Sequence, residues 1–149
     1  MKSQLIGIAF MHALLRSPQS SKAGGQVRPG SANSNRFYID APSLTVGSDG
    51  VVRYILLIRA GGGASNVSFE GIRCETREQK LYAVGRSDGK WTRARDPAWR
   101  DIEYKDLNRH HGVLFAEFFC DVARKGKTLP TNAILAALKR GSSKSGTID

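Results

Sequence analysis

Cysteine is scarce in this chain: Cys74 and Cys120 are the only two, and no CxxC pair occurs. That removes zinc ribbons and thioredoxin-like redox motifs. No apolar run reaches 18 residues, which excludes a multi-span membrane protein. The sixteen glycines have no G-X-Y period, so the chain is not collagen-like. Gly61-Gly62-Gly63 lacks the spacing of GxxxxGK[ST] or GxGxxG and reads as a turn, not a phosphate cradle. HExxH is absent as well. Residues 1–36 contain no acidic side chain at all.

What remains is a globular composition. The 149 residues suit one domain, with 24% charged and 40% hydrophobic side chains. The net charge of +10 invites a nucleic-acid reading, but its distribution argues against one. Residues 37–120 carry twelve basic and eleven acidic residues, so the excess sits on the flanks. A nucleic-acid-binding domain concentrates Lys and Arg on a folded face.

The chain divides into four parts. Residues 1–23 form a candidate signal segment: Lys2, then the apolar run Leu5 to Leu15, then small residues around Ala23. Arg16 and Pro18 make this leader irregular, and a mis-started N-terminus is the competing reading. Residues 24–35 are rich in Ser, Gly, Asn and Pro and read as a flexible linker. Residues 36–140 form the single domain, and 141–149 are expected to be a disordered tail.

Within the domain, strands are expected at Phe37 to Ile39, Val51 to Arg59, Asn66 to Cys74, Gln79 to Arg86 and Lys90 to Arg95. Val51 to Arg59 is the clearest. Val52, Tyr54, Leu56 and Ile58 share one face, and Arg53, Ile55, Leu57 and Arg59 the other. In the following strand Val67 and Phe69 have the opposite parity to Ile72 and Cys74. A bulge at Gly71 would return all four to one side. Asn108 to Cys120 is helical in spacing, weakened by Gly112. A second helix has Thr128 or Thr131 as cap, Pro130 in its first turn, Ile134, Leu135 and Leu138 as its stripe, and Gly141 as its end. The expected fold is α+β: an antiparallel meander of four to six strands, covered on one face by one or two C-terminal helices.

Both cysteines lie at the ends of apolar elements, which fits one disulfide, Cys74–Cys120. Two buried free thiols are the alternative. A disulfide together with a leader favours an oxidising compartment.

Few side chains present a chemical pattern. His110 and His111 are the only clustered imidazoles, and on a helix adjacent residues point about 100° apart. They are a minor candidate polar site; two partly exposed helix-start histidines are the plainer expectation. Glu70, Glu75, Glu78 and Glu103 supply carboxylates without a recognisable acid/base pairing. No catalytic residue, metal ligand or cofactor is assigned. The most suggestive surface lies between Trp91 and Arg100. Trp91, Arg93, Arg95, Trp99 and Arg100 interleave aromatic and cationic groups, as a cation–π platform for an anionic polymer or a partner protein would. One Trp in the core and one over a loop, with salt-bridged arginines, is the simpler account.

The runs Arg36-Phe37-Tyr38-Ile39-Asp40, Asn66-Val67-Ser68-Phe69-Glu70-Gly71-Ile72-Arg73-Cys74 and Lys80-Leu81-Tyr82-Ala83-Val84-Gly85-Arg86 carry a resemblance. So do Trp91, Ala94-Arg95, Trp99-Arg100, Asn108-Arg109-His110-His111 and Phe118-Phe119-Cys120. Over residues 36 to 140 the chain resembles the cryptic neisserial protein-like family, small uncharacterised proteobacterial proteins, many with export or lipoprotein signals. The resemblance implies an envelope location but no activity, cofactor or catalytic residue. The basic, Ser/Gly-rich front departs from the family's acidic stretch before the first strand. The expected role is a non-enzymatic binding or structural module, periplasmic or outer-membrane associated, with an envelope protein or anionic polymer as partner. A small hydrolase using His110 or His111, and a basic nucleic-acid binder, are the alternatives.

Overall fold

The alternation in residues 51–59 organises the sheet. The computed structural model describes residues 25–27, 35–60, 63–103 and 109–145. In chain order the strands are β1 (Gly25–Val27), β2 (Arg36–Ile39), β3 (Thr45–Val46), β4 (Val51–Arg59), β5 (Ser65–Arg73), β6 (Glu78–Gly85), β7 (Trp91–Arg93) and β8 (Arg100–Asp101). Then come helix α1 (Arg109–Val113), a π-helical continuation Leu114–Phe119, β9 (Cys120–Asp121), β10 (Lys127–Thr128) and helix α2 (Thr131–Ser145).

The sheet runs β1-β2-β4-β5-β6-β7, and all these pairings are antiparallel. This is the expected α+β meander. The six-strand path is extended by two two-residue strands, β3 on β4 and β8 on β6. Val52, Tyr54 and Leu56 are wholly buried on the face that packs against Leu114, Phe115, Phe118, Phe119, Ile134 and Leu138. The helical segments thus cover that face. The opposite face carries a small second cluster, Ile55 and Ala83 with Val67, Phe69 and Trp91 against it.

Four expectations need correcting. The segment 24–35 is not linker throughout: Gly25–Val27 pairs with Phe37–Ile39 as an edge strand. The bulge is not at Gly71, because the β4–β5 register is continuous from Val51↔Arg73 to Arg59↔Ser65. The register shift lies between β5 and β6, where Phe69 faces Ala83 but Glu70 faces Leu81, which leaves Tyr82 as the extra residue. Gly71 is glycine because a Cβ there would lie 2.9 Å from the Tyr82 ring. Val67 and Phe69 therefore stay on the face opposite Ile72 and Cys74.

The last two corrections concern the C-terminal helix. It begins over Pro130, whose carbonyl accepts from Ala133 and Ile134; of its expected stripe Ile134 and Leu138 are buried and Leu135 is half-buried. Gly141 does not end it, since the helical backbone continues to Ser145 into the expected tail. Thr128 does not cap it; its hydroxyl donates to the Gly50 carbonyl at 2.6 Å. The signal segment 1–23 lies outside the described residues.

Cys74, just past β5, and Cys120, in β9, form the expected disulfide, with Cα atoms 5.6 Å apart. It ties the end of β5 to the segment that follows the π-turn. No helix among the described residues is long and apolar enough to cross a membrane.

Candidate functional site

A strand with a continuous register puts every second residue on one face. In β5 that row is Ser68, Glu70 and Ile72, opposite Leu56, Tyr54 and Val52 of β4. A carboxylate therefore sits in a row of core positions, only 6% exposed. A buried carboxylate persists only if its oxygens are satisfied. Tyr54 donates its hydroxyl to Glu70 Oε2 at 3.0 Å. Ser68 donates to Oε1 at 2.9 Å. His111 Nε2 lies 2.8 Å from Oε2.

The histidines arrive from the other layer. Both are buried, His110 at 6% and His111 at 7% exposure, contrary to the expectation of partial exposure. Apart from Gly112, the buried residues of the helical segment fall in pairs four apart: His110 and His111, Leu114 and Phe115, Phe118 and Phe119. In a straight α-helix each step of four overshoots by about 40°, so such pairs drift off the core face. The π-helical turn at Leu114–Phe119 widens the winding and keeps the pairs inward. His110 stacks on Phe37 at 4.9 Å between ring centroids and lies 4.0 Å from the His111 ring.

Charge follows from this packing. Burial alone would raise the Glu70 carboxyl. The hydrogen bond and charge of His111, with smaller help from His110 and Ser68, outweigh it and hold the group below the ordinary carboxylate range. Glu70 is thus the acceptor, and His111 Nε2–H the donor. Burial, and then the neighbouring His111, lower His110 to about 4, so its imidazole is neutral at neutral pH. Burial, and then the Glu70 charge, push the Tyr54 hydroxyl well above its ordinary value. One ligand atom each from Glu70, His110 and His111 lies within 4.8 Å of the others.

The cluster is reached from outside. A cavity of about 480 Å³ is lined by Glu70, His111 and Leu81 together with Arg93, Arg95 and Arg100. A neighbouring one of about 310 Å³, lined by Asp101, Ile102 and Glu103, shares Gln79, Arg100 and His111 with it. The two features noted separately in the sequence, the His pair and the Trp91–Arg100 segment, therefore meet here.

The five side chains of that segment do not share one role. Arg93, Arg95 and Arg100 line the cavity, and Arg100 pairs with Asp96 at 2.7 Å. Trp91 packs half-buried on the second cluster, its indole N–H buried without an acceptor among the described residues. Trp99 is half-buried under the Arg73 guanidinium, 3.9 Å from the ring centroid.

Tyr54, Ser68 and the pairing of Glu70 with His111 escape a sequence reading. The available signal is parity: Ser68 and Glu70 share the parity of Ile72 and Cys74, and assuming a bulge at Gly71 breaks that row.

Comparison with known proteins gives one match. The model of the CNP1-like family matches residues 16–139. No curated protein and no solved structure matches the chain.

Proposed function

The chain belongs to the CNP1-like family, and on that footing we propose that it is a non-enzymatic binding module of the cell envelope whose cavity takes a small anionic ligand. The observation that carries this reading is the cavity of about 480 Å³ with Arg93, Arg95 and Arg100 in its wall. Guanidinium groups offer forked donors that match carboxylate and phosphate oxygens. The buried Cys74–Cys120 bond supports a periplasmic or outer-membrane-associated location, because disulfides persist in oxidising compartments.

The test is calorimetric titration of the oxidised protein with citrate and with inorganic pyrophosphate. Binding of either probe, weakened about tenfold or more by Arg95→Ala and unchanged by Arg124→Ala, is the expected result. Absence of binding, or indifference to Arg95→Ala, would overturn the ligand assignment. Location has its own measurement: the masses of tryptic peptides from the native cell, with and without reduction. Free thiols in that protein would remove the envelope reading.

One observation favours a hydrolase as the second reading. His111 lies in a cavity and is hydrogen-bonded to Glu70, as a general base oriented by a carboxylate would be. Against it, the Ser68 and Tyr54 hydroxyls both donate to Glu70, and neither faces His111 as a nucleophile would. Hydrolysis of p-nitrophenyl acetate or phosphate that disappears in His111→Asn would promote this reading. A nucleic-acid role has little to support it, given the near-neutral charge of residues 37–120. Steep salt dependence of binding to generic DNA would be its mark.

A further inference from the structure

We propose that Glu70, His110 and His111 form a binding site for one divalent transition-metal ion of the zinc class, its open coordination position facing the arginine-lined cavity. Two imidazoles and a carboxylate make a borderline N₂O donor set. Such a set selects zinc and its neighbours over calcium and magnesium, which take oxygen ligands. All three side chains are buried, and their ligand atoms lie within 4.8 Å of one another. Tetrahedral zinc with bonds of about 2.1 Å sets its ligand atoms roughly 3.4 Å apart. The ion would draw the three side chains together and replace the hydrogen that His111 now gives to Glu70.

The usual objection to adjacent histidines is their divergence on a helix. Here it is met by the turn that follows them. Pairs four residues apart all face the core, so both rings stand on the Glu70 side, 4.0 Å apart. The supporting groups are also in place. Tyr54 and Ser68 hold the two Glu70 oxygens, and Phe37 stacks on the His110 ring. Outer hydrogen bonds of this kind orient ligands in metal sites. No hydrogen-bond partner among the described residues occupies a His110 ring nitrogen, so one remains for an ion. Glu70 and His111 line the cavity, which supplies both access and a fourth position for water or ligand. Three protein ligands with one open position is the arrangement of reactive rather than structural zinc. The inference shares the cavity with the anionic-ligand reading but takes none of the arginines as ligands.

The experiment takes the full, oxidised chain, stripped of metal with a chelator. It is titrated with zinc chloride by calorimetry and with cobalt(II) by visible absorption. One ion per chain is expected, with a cobalt spectrum of four-coordinate N/O type. His110→Ala and Glu70→Gln should each weaken zinc at least about 100-fold, and Ser68→Ala about tenfold. His12→Ala and Arg124→Ala should leave zinc affinity unchanged. Circular dichroism and an intact disulfide establish that each variant is folded. Should His110→Ala or Glu70→Gln fail to fold, the imidazole nitrogen resonances of the wild type decide. Those of His110 and His111 must both shift with one equivalent of zinc. Affinity no tighter than millimolar, zinc binding indifferent to His110→Ala, or unshifted His110 and His111 resonances would each overturn the site.

Discussion

Glu70 accepts from three donors that stand on two strands and a helix, so its removal is felt by all of them. Truncation to alanine leaves the buried Tyr54 hydroxyl and His111 without their acceptor, and each unsatisfied buried group costs about 1–3 kcal/mol. Glu70→Ala should therefore destabilise the protein by about 4 kcal/mol in urea unfolding. Tyr54→Phe removes one donor and leaves the carboxylate held by the other two. Its expected cost is about 2 kcal/mol, the range for hydrogen bonds to charged groups. Equal costs for the two variants would mean that Glu70 is not the hub of this network. The comparison must be made on metal-free protein, since a bound ion would add its own stabilisation to the wild type.

Short elements here depend on close approach more than on propensity. Gly126 follows β9 at φ 74°, and a Cβ there would collide with the Cys74 carbonyl, which is backbone and tied by the disulfide. Gly89 has φ 80° with nothing within 4 Å of such a Cβ. Both alanine variants bear the left-handed penalty of about 1–2 kcal/mol. Only Gly126→Ala adds the clash, and it should cost about 2 kcal/mol more than Gly89→Ala. Indistinguishable unfolding midpoints for the two would refute the close contact. The same distinction explains what the sequence could tell. The strand Val51–Arg59 was legible because its two faces differ in polarity along nine residues. β1 was not, because Gly25–Val27 owes its order to pairing with Phe37–Ile39 and carries no pattern of its own. Gly71 pointed to a real irregularity but on the wrong strand: the extra residue is Tyr82, and the glycine makes room for its ring. That displacement hid Glu70, whose core position is visible only when the register is left unbroken.

At the scale of the molecule, the sheet and the helical layer are joined by packing and by one covalent bond. Cys74–Cys120 closes a loop with a sequence separation of 46 residues. In the chain-entropy model a loop of that size contributes about 4 kcal/mol. The double variant Cys74→Ala/Cys120→Ala should lose about that much in urea unfolding. A loss below about 1 kcal/mol would show that the two layers hold together without the bond.

The order of the layers along the chain has a consequence for how the protein is made. The strands that build the apolar face, from Phe37 to Ile72, leave the ribosome before any of the residues that cover it, from His110 to Leu138. While residues 73–138 are being made the nascent sheet has no complete lid, and its hydrophobic face is a target for holding chaperones. Completion waits for Leu138, midway along α2. Until both layers are clear of the ribosome they cannot dock, and the two-layer packing forms in one late step.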